Sequence, residues 1–296
     1  MGAEKKQAMP SFTLTREKNA PRTEISPEAY RLFQGFLSSR CGIRLGDNKR
    51  YLVTNRLAGV CQNTGIQSLD DLVEKLSQGN LRGSVVTEII DAMTTNETFW
   101  FRDTAQFGEL NNVVFSELSQ KRFLTPRIWS AGCSSGQEPF SISMSIEEYN
   151  RNNPSNALNS VQIMGTDISE SIIERAKKGI FSELELSRGL DADRRAQYFD
   201  ACHGGWKLNC KVSSRVRFQP FNLQKPFAVL GQFEIIFCRN VLIYFSDDLK
   251  RDILIRMSKI LKPGGYLFLS STETIPNDLG VFELVKGRSV RYFRKF

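Results

Sequence analysis

The residues best suited to hold a ligand lie where two predicted strands end. An apolar strand at 127–131 runs into a turn of small residues, GCSSG at 132–136, and a helix is predicted at 136–150. Such a turn at the carboxyl end of a first parallel strand lets a nucleotide-like ligand approach the backbone closely. A second strand, at 161–166, leads to Asp167, whose carboxylate can accept hydrogen bonds from both hydroxyls of a ribose. This pattern predicts a site for an adenosine-containing cofactor.

The turn differs from the familiar phosphate-binding loops. Its glycines do not follow the GxGxxG pattern, and no lysine follows it as in a P-loop. Both differences disfavour NAD and ATP, whose phosphates are held by such loops. S-adenosylmethionine contains adenosine but no phosphate, and we therefore predict it as the cofactor.

A segment that mixes polar and aromatic residues, TNETFWFR at 95–102, precedes this region. One interpretation places Phe99 and Phe101 in packing contacts while Asn96, Thr98 and Arg102 face a ligand cleft. The alternative is a linker whose aromatic side chains pin a preceding domain.

A third polar group follows the apolar strand predicted at 233–238. Arg239 and Asn240 come directly after that strand, and Tyr244 follows shortly. Ligands of open α/β sheets bind beyond the carboxyl ends of the strands. We therefore expect Arg239 and Asn240 to lie in the site, whereas Tyr244 either joins them or packs against the core.

Composition narrows the class of protein. The chain has 296 residues, 41% of them hydrophobic, which is enough for one large domain and a small one. No apolar run approaches the ~18 residues of a membrane span, and no signal-peptide core is evident, so we expect a cytoplasmic protein without membrane insertion. The six cysteines are then expected as free thiols. With one histidine, His203, neither a metal site nor histidine-based acid–base catalysis is expected.

The formal net charge of +8 predicts an acidic partner. Nucleic acid is one candidate, and a carboxylate-rich protein surface is the other. Composition does not distinguish them.

The order of the predicted elements indicates two folded parts. A basic tail at 1–25, predicted to be flexible, precedes four helices within 26–94, and a linker with a connecting helix spans 95–125. From 126 to 296 strands alternate with helices, which predicts a mostly parallel sheet covered on both faces. A C-terminal hairpin adds an antiparallel strand. This α/β fold, a Rossmann-like sheet after a small all-helical domain, is that of class I methyltransferases.

One interruption of this alternation predicts a further element. The residues WKLNCKV at 206–212 alternate between apolar and polar, and a serine pair then leads into the next core strand. A period of two is typical of a strand with one buried face. We predict a small antiparallel β extension at about 180–214, which either decorates the crossover or docks a partner.

Five segments together resemble the chemotaxis receptor methyltransferase (CheR-type) family. They are TNETFWFRD at 95–103, SAGCSSGQEPFSI at 130–142, GTDIS at 165–169, FCRNVLIYF at 237–245 and LKPGGYLFLSSTE at 261–273. The similarity runs from about residue 26 to the C-terminus, in the order and spacing of the family. It implies a protein-glutamate O-methyltransferase. Such an enzyme transfers the methyl group of S-adenosylmethionine to side-chain carboxylates of methyl-accepting chemotaxis receptors and releases S-adenosylhomocysteine.

The resemblance also assigns roles to residues at matching positions. Those implied to contact the cofactor are Asn96, Thr98, Arg102, Glu138, Asp167, Asn222, Leu223, Arg239 and Asn240. Arg102 and Tyr244 are implied to lie nearest the transferring methyl group, as the catalytic residues. Lys49, Arg50 and Arg56 match a basic helix that faces the cytoplasmic signalling helices of the receptor. The alternative for that helix is a solvated face, or arginines that brace the domain, because Val53 and Val60 lie on the same side.

The chemistry implied by the resemblance agrees with the residues present. A glutamate carboxylate has an ordinary pKa of ~4.3 and is ionised at neutral pH, so its attack needs no general base. Attack on a sulfonium removes charge from both reactants, so a dry cleft disfavours the reactants more than the transition state. Arg102 and Tyr244 are therefore expected to orient the acceptor.

Two features bear on the partner. The β extension is shorter than in family members that dock on a receptor's C-terminal pentapeptide, which disfavours such docking here. An RNA methyltransferase would explain the charge but leaves the helical domain and TNETFWFR without a role. A module that binds cofactor without turnover is disfavoured by Arg102, Asp167, Asn240 and Tyr244. We therefore expect a monomeric enzyme that acts on receptors and not on nucleic acid.

Overall fold

The computed structural model of the protein describes residues 24–121 and 125–296. Positions 1–23 of the predicted tail and positions 122–124 of the predicted linker lie outside the described residues. The first described part consists of helices α1 (Pro27–Cys41), α2 (Arg50–Thr64), α3 (Leu69–Ser77) and α4 (Gly83–Met93). They pack around one apolar core, as predicted. A 3₁₀ turn at Asp47–Lys49 directly precedes α2.

Both ends of α1 carry caps. The hydroxyl of Ser26 accepts a hydrogen bond from the backbone N–H of Ala29 at 3.2 Å. Gly42 takes a left-handed conformation, with φ 75°, and closes the last turn. A Cβ atom on Gly42 would lie 2.4 Å from a methyl carbon of Leu249, so the end of α1 packs directly against the second domain.

The predicted connecting helix is a single helical run with one widened turn. It comprises α5 (Thr104–Glu109), a π-helical turn at Leu110–Val114 and α6 (Phe115–Gln120). A π-helical turn of this kind is rare and adds one residue per turn locally. The run buries Phe107, Leu110 and Phe115 against the core of the second domain.

The second domain contains a seven-stranded sheet in the order β6-β2-β1-β7-β8-β10-β9. The strands of the described chain are β1 (Arg127–Ala131), β2 (Gln162–Asp167), β3 (Ile180–Phe181), β4 (Phe199–Cys202), β5 (Gly205–Leu208), β6 (Val216–Pro220), β7 (Phe233–Phe237), β8 (Leu261–Phe268), β9 (Phe282–Lys286) and β10 (Arg291–Lys295). The first five strands of the sheet run parallel, and β10 inserts between β8 and β9 antiparallel to β8. Both strands of the predicted hairpin therefore join the sheet. Strand order reverses beside β1, which creates a topological switch point.

Helices cover both faces of the sheet. The longer ones are α7 (Gln137–Asn152), α8 (Glu170–Lys178) and α12 (Asp247–Ile260), and the short ones are α9 (Glu183–Leu186), α10 (Ala192–Tyr198) and α11 (Cys210–Ser213). β7 is mostly apolar because both of its faces are buried. Ile235 and Phe237 pack on the α7 side, whereas Phe233 and Ile236 pack on the α12 side. No helix within the described ranges is both long enough and apolar enough to span a bilayer.

The β extension is confirmed, but it is shorter than the alternating sequence predicts. β3, β5 and β4 form a three-stranded antiparallel sheet. The strand predicted through Val212 ends at Leu208, because the side chain of Asn209 accepts a hydrogen bond from the backbone N–H of Val212 at 3.4 Å and caps α11. Asparagine is a strong N-cap residue, and here it outweighs the period-two pattern. His203 lies in the turn between β4 and β5.

Candidate cofactor cleft and active site

A cleft of about 330 Å³ lies at the carboxyl ends of β1, β2 and β7, beside the switch point of the sheet. The helical domain contributes Cys41, Ile43 and Met93 to its wall. The residues predicted to bind cofactor or to act in catalysis all line this one cleft: Asn96, Thr98, Arg102, Glu138, Asp167, Asn222, Leu223, Arg239, Asn240 and Tyr244. The fold thus brings together residues from five separate segments.

Asp167 is the last residue of β2 and is only 8% exposed. One carboxylate oxygen accepts the backbone N–H of Ser134 at 2.9 Å, and the other accepts that of Ser169 at 3.1 Å. Each oxygen can still accept a second hydrogen bond. Burial raises the pKa of Asp167, although these backbone donors oppose the shift. A ligand with two adjacent hydroxyls would complete this set of bonds.

Arg239 holds three cleft segments together. Its side chain is 1% exposed, and its guanidinium binds Glu138 at 3.0 Å and Asp103 at 2.8 Å. It also donates to the backbone carbonyl of Arg102. Burial raises the pKa of Glu138, and the adjacent Arg239 is the largest opposing influence. Arg239 therefore fixes the backbone beside Arg102, while its predicted cofactor contact stays a prediction.

Left-handed backbone conformations concentrate at this cleft. Among the described non-glycine residues, only Phe101, Asp103, Ser134 and Asn240 have positive φ angles, between 49° and 59°. Phe101 and Asp103 flank Arg102, and the other two line the cleft. Such conformations cost on the order of 1–3 kcal/mol each and persist where surrounding contacts fix them. Local strain thus marks the same place as the predicted site.

Arg102 presents a guanidinium to the cleft without a carboxylate partner among the described residues. Its Cζ atom lies 5.1 Å from the centre of the Phe99 ring, and its Nη1 donates to the Glu97 carbonyl at 3.3 Å. Phe99 was predicted to pack, but it lines the cleft and supports Arg102. The neighbouring Trp100 is the fully buried aromatic. An unpaired cation in an aromatic setting suits an anionic ligand.

Arg188, which the sequence did not indicate, contacts the cleft segment without lining the cleft itself. It forms an ion pair with Glu97, and its Cζ atom lies 5.7 Å from the centre of the Phe99 ring. Its carbonyl accepts the backbone N–H of Trp100 at 3.0 Å. A Cβ atom on the next residue, Gly189, would lie 2.2 Å from the Trp100 carbonyl oxygen, so only glycine allows this close approach. Gly189 was the one residue whose type could have indicated this close contact from the sequence.

Two cleft-lining residues carry a buried polar atom without a partner. Nε–H of Arg239 and Oδ1 of Asn240 are buried and have no hydrogen-bond partner in the described chain. A free donor and a free acceptor suit the carboxylate and ammonium groups of an amino acid, such as the methionine part of S-adenosylmethionine. Together with Asp167, these atoms fit the predicted cofactor.

The two thiols that line the cleft are not nucleophiles. Burial raises the pKa of Cys41 to about 11, and burial followed by the nearby Asp167 raises that of Cys133 well above its ordinary value. Thiols with such pKa values stay protonated at neutral pH. Cys41 and Cys133 therefore serve as small apolar wall residues, and all six cysteines are free, as predicted.

The loops of the site are hydrogen-bonded to the helical domain. The side-chain amide of Asn222 donates to the Arg40 carbonyl at 2.7 Å, and the backbone N–H of Arg44 donates to the Tyr244 carbonyl at 2.8 Å. The side-chain oxygen of Asn222 also accepts the backbone N–H of Gln224 at 2.9 Å, so both ends of its amide already have a partner, and the predicted cofactor contacts of Asn222 and Leu223 stay predictions. The helical domain thus helps to position the active-site loops.

The three basic residues predicted to face a receptor do not line the cleft, and two of them brace the helical domain. Arg56 donates to the carbonyls of Met93 at 2.8 Å and Thr94 at 2.9 Å, directly before the cleft segment. Arg50 donates to the Ile25 carbonyl. Lys49 is exposed. The two arginines thus brace the domain, Lys49 is the exposed member of the set, and the receptor contact of all three stays a prediction.

Comparisons with known proteins agree with this geometry. Residues 28–94 match the family model described as CheR methyltransferase, all-alpha domain, and residues 96–291 match CheR methyltransferase, SAM binding domain. The border between the two matches lies where α4 ends and the cleft segment begins.

Curated relatives resemble the chain over most of its length. A chemotaxis protein methyltransferase of Pseudomonas putida is 47% identical over 82% of this chain and 89% of its own length. Chemotaxis protein methyltransferase 1 of Pseudomonas aeruginosa is 46% identical over 87% of this chain and 94% of its own. A chemotaxis protein methyltransferase of Salmonella typhimurium is 32% identical over 91% of both chains. The cofactor is therefore S-adenosylmethionine, the protein is a methyltransferase with the class I fold, and the chain belongs to the CheR methyltransferase family.

Proposed function

We propose that this methyltransferase methylates glutamate side chains on the cytoplasmic helices of methyl-accepting chemotaxis receptors. The observation that carries the proposal is Arg102, a cation that has no carboxylate partner among the described residues and lines the same cleft as Tyr244. An anionic acceptor would be drawn to this point. The relatives named chemotaxis protein methyltransferase support a receptor as its source.

The cleft residues suggest how the cofactor is held. The carboxylate of Asp167 would accept both ribose hydroxyls, and Arg239 Nε–H and Asn240 Oδ1 would bind the amino-acid end. Leu223 adds an apolar wall. When bound, S-adenosylmethionine supplies a methyl group on a positively charged sulfur.

The acceptor needs orientation, not deprotonation. A glutamate with an ordinary pKa of ~4.3 enters the cleft ionised. Glu138 and Asp103 are already bound to Arg239, and the two cleft thiols stay protonated, so these groups are not available as a base. Arg102 and Tyr244 then fix the angle at which the carboxylate oxygen approaches the methyl carbon.

Aromatic side chains favour the same reaction. Phe99, Phe107, Phe221 and Phe245 line the cleft and limit its hydration. Bond formation between a carboxylate and a methyl sulfonium removes charge, so a poorly hydrated site raises the energy of the separate ions more than that of the transition state. The cleft thus favours a reaction in which the charges of a carboxylate and a sulfonium neutralise each other.

Asp167→Ala is expected to weaken S-adenosylhomocysteine binding at least about tenfold. Two hydrogen bonds to a carboxylate are lost, each worth roughly 1.5–3 kcal/mol, and ~1.4 kcal/mol corresponds to tenfold. Calorimetry measures this directly, with a melting curve to verify folding. The wild-type affinity should also fall as the pH drops through the raised pKa of Asp167. An unchanged affinity in a folded variant would mean that the ribose lies elsewhere.

Lys49→Glu is expected to slow receptor methylation several-fold and to leave S-adenosylhomocysteine affinity unchanged. Lys49 is exposed and outside the cleft, so its charge acts on a partner and is screened by salt over a Debye length of ~8 Å. Lys259→Glu is the matched control, because it makes the same charge change at an exposed site on α12. Equal rates for both variants would exclude a docking role for Lys49. Arg56 is unsuitable for this test because it braces the cleft segment.

The choice of substrate is tested by offering the enzyme two classes of acceptor separately. The enzyme is incubated with methyl-labelled cofactor and either receptor cytoplasmic fragments or RNA. The proposal predicts label in the receptor fragment that alkali releases, as expected for an ester. Label in RNA would instead indicate an RNA methyltransferase. Cofactor binding without any labelled product would indicate a module that binds cofactor without turnover.

A further inference from the structure

Glu273, which follows β8, places a buried carboxylate against the active-site turn. It is 9% exposed. Oε1 accepts the backbone N–H groups of Val241 at 3.1 Å and Leu242 at 2.9 Å. Oε2 accepts the backbone N–H groups of Asn240 at 2.8 Å and Ser270 at 3.0 Å, together with the Ser270 hydroxyl at 2.7 Å. Five donors therefore converge on one side chain.

This carboxylate is stabilised by dipoles rather than by a cation. Within the described ranges Glu273 has no ion-pair partner, so five hydrogen bonds replace its hydration. Three consecutive backbone N–H groups form a concave nest, an arrangement that binds anions in many proteins. Here the anion bound by the nest is the carboxylate of Glu273. The bonds fix the backbone of residues 240–242 in one conformation.

The turn that Glu273 holds carries two of the predicted functional residues. Asn240 lines the cleft, has a φ angle of 58°, and its buried Oδ1 atom has no partner in the described chain. The 3₁₀ turn Leu242–Tyr244 begins within the same three N–H groups and carries Tyr244. Glu273 itself is not among the residues that line the cleft.

We propose that Glu273 is a positioning residue for methyl transfer, acting through Asn240 on the cofactor and through Tyr244 on the acceptor. The role of Tyr244 rests on the proposed function, whereas that of Asn240 rests only on cofactor binding. Nothing in the composition of LKPGGYLFLSSTE distinguishes its final glutamate from a surface acid. Only the fold reveals its donors.

The decisive substitution is Glu273→Gln, which keeps the shape and removes the charge. In either orientation the new amide NH₂ group faces two backbone N–H groups, those of Val241 and Leu242 or those of Asn240 and Ser270. The turn must therefore shift. We expect S-adenosylhomocysteine to bind about tenfold more weakly and turnover to fall at least about tenfold, with little change in KM for the receptor fragment.

Glu234→Gln is the matched control. Glu234 is 4% exposed on β7, accepts the backbone N–H of Arg127 at 2.6 Å and pairs with Lys262, away from the cleft. A merely structural role for Glu273 predicts that both variants lose thermal stability alike and keep wild-type affinity and turnover. That result would overturn the proposal.

Two further readouts separate the possible failures. If Glu273→Gln does not fold, Glu273→Asp keeps the charge but withdraws the carboxylate by one methylene, and wild-type affinity and turnover in that variant would reject the positioning role. Calorimetry with S-adenosylhomocysteine needs no receptor. Suppose that the wild-type enzyme methylates no receptor fragment and that Glu273→Gln still binds S-adenosylhomocysteine more weakly. The positioning of Asn240 by Glu273 would then stand, and only the proposed substrate would be rejected.

Discussion

Arg239→Met is expected to lower the free energy of unfolding by about 3–5 kcal/mol. The substitution leaves the half-buried Glu138 and the more exposed Asp103 without their shared, buried cation, and it removes the donor to the Arg102 carbonyl. Chemical denaturation at neutral pH measures the loss. The cleft should be affected as well, because the backbone on both sides of Arg102 is held in left-handed conformations.

Arg251→Met provides the comparison for Arg239→Met. Arg251 pairs with Asp278 at 2.9 Å, but the two side chains are 40% and 71% exposed. Exposed pairs contribute about 0–1 kcal/mol, so this variant should unfold close to the wild-type midpoint. If both variants unfold together near the wild-type midpoint, the buried network around Arg239 does not stabilise the fold.

Tyr244→Phe is expected to lower turnover at least about a hundredfold while S-adenosylhomocysteine affinity changes little. The ring, which lines the cleft, is retained, and only a hydroxyl that makes no hydrogen bond with any described residue is lost. Such a group contributes chiefly when the acceptor and the methyl group are aligned, so its loss should appear in kcat.

The exposed Tyr51 allows the same chemical change outside the site. Its side chain is 60% exposed, and Tyr51→Phe should leave both turnover and cofactor affinity unchanged. A Tyr244→Phe variant that loses cofactor affinity but keeps its turnover at saturation would contradict the orienting role.

Local signals explain why most of the fold could be predicted. The ends of α1 follow from Ser26 and Gly42, and the strands of the parallel sheet follow from short apolar runs such as β7. The cofactor site could be located because ligands bind at the carboxyl ends of parallel strands. Asp167 was identified in this way, at the tip of β2.

What the sequence did not show depends on contacts between distant residues. Arg239 and Asp103 are 136 positions apart, and nothing near either residue indicates that they meet. The same holds for Arg56, whose hydrogen bonds to the chain before the cleft were not evident from its place in a basic sequence. Asn209 shows the opposite case. Its residue type is a local signal for a helix start, but the prediction relied on the alternating pattern around it and extended a strand through this position.

Mapping the transferred methyl group to a residue distinguishes methylation of glutamate carboxylates from every other acceptor chemistry. The wild-type enzyme is incubated with S-adenosylmethionine and a receptor cytoplasmic fragment, and the digested receptor is examined by peptide mass spectrometry before and after alkaline treatment. We expect one added methyl group on individual glutamate side chains, lost on alkaline hydrolysis and absent with the Tyr244→Phe enzyme under initial-rate conditions. Methylation confined to lysine, arginine or another alkali-stable position would contradict it.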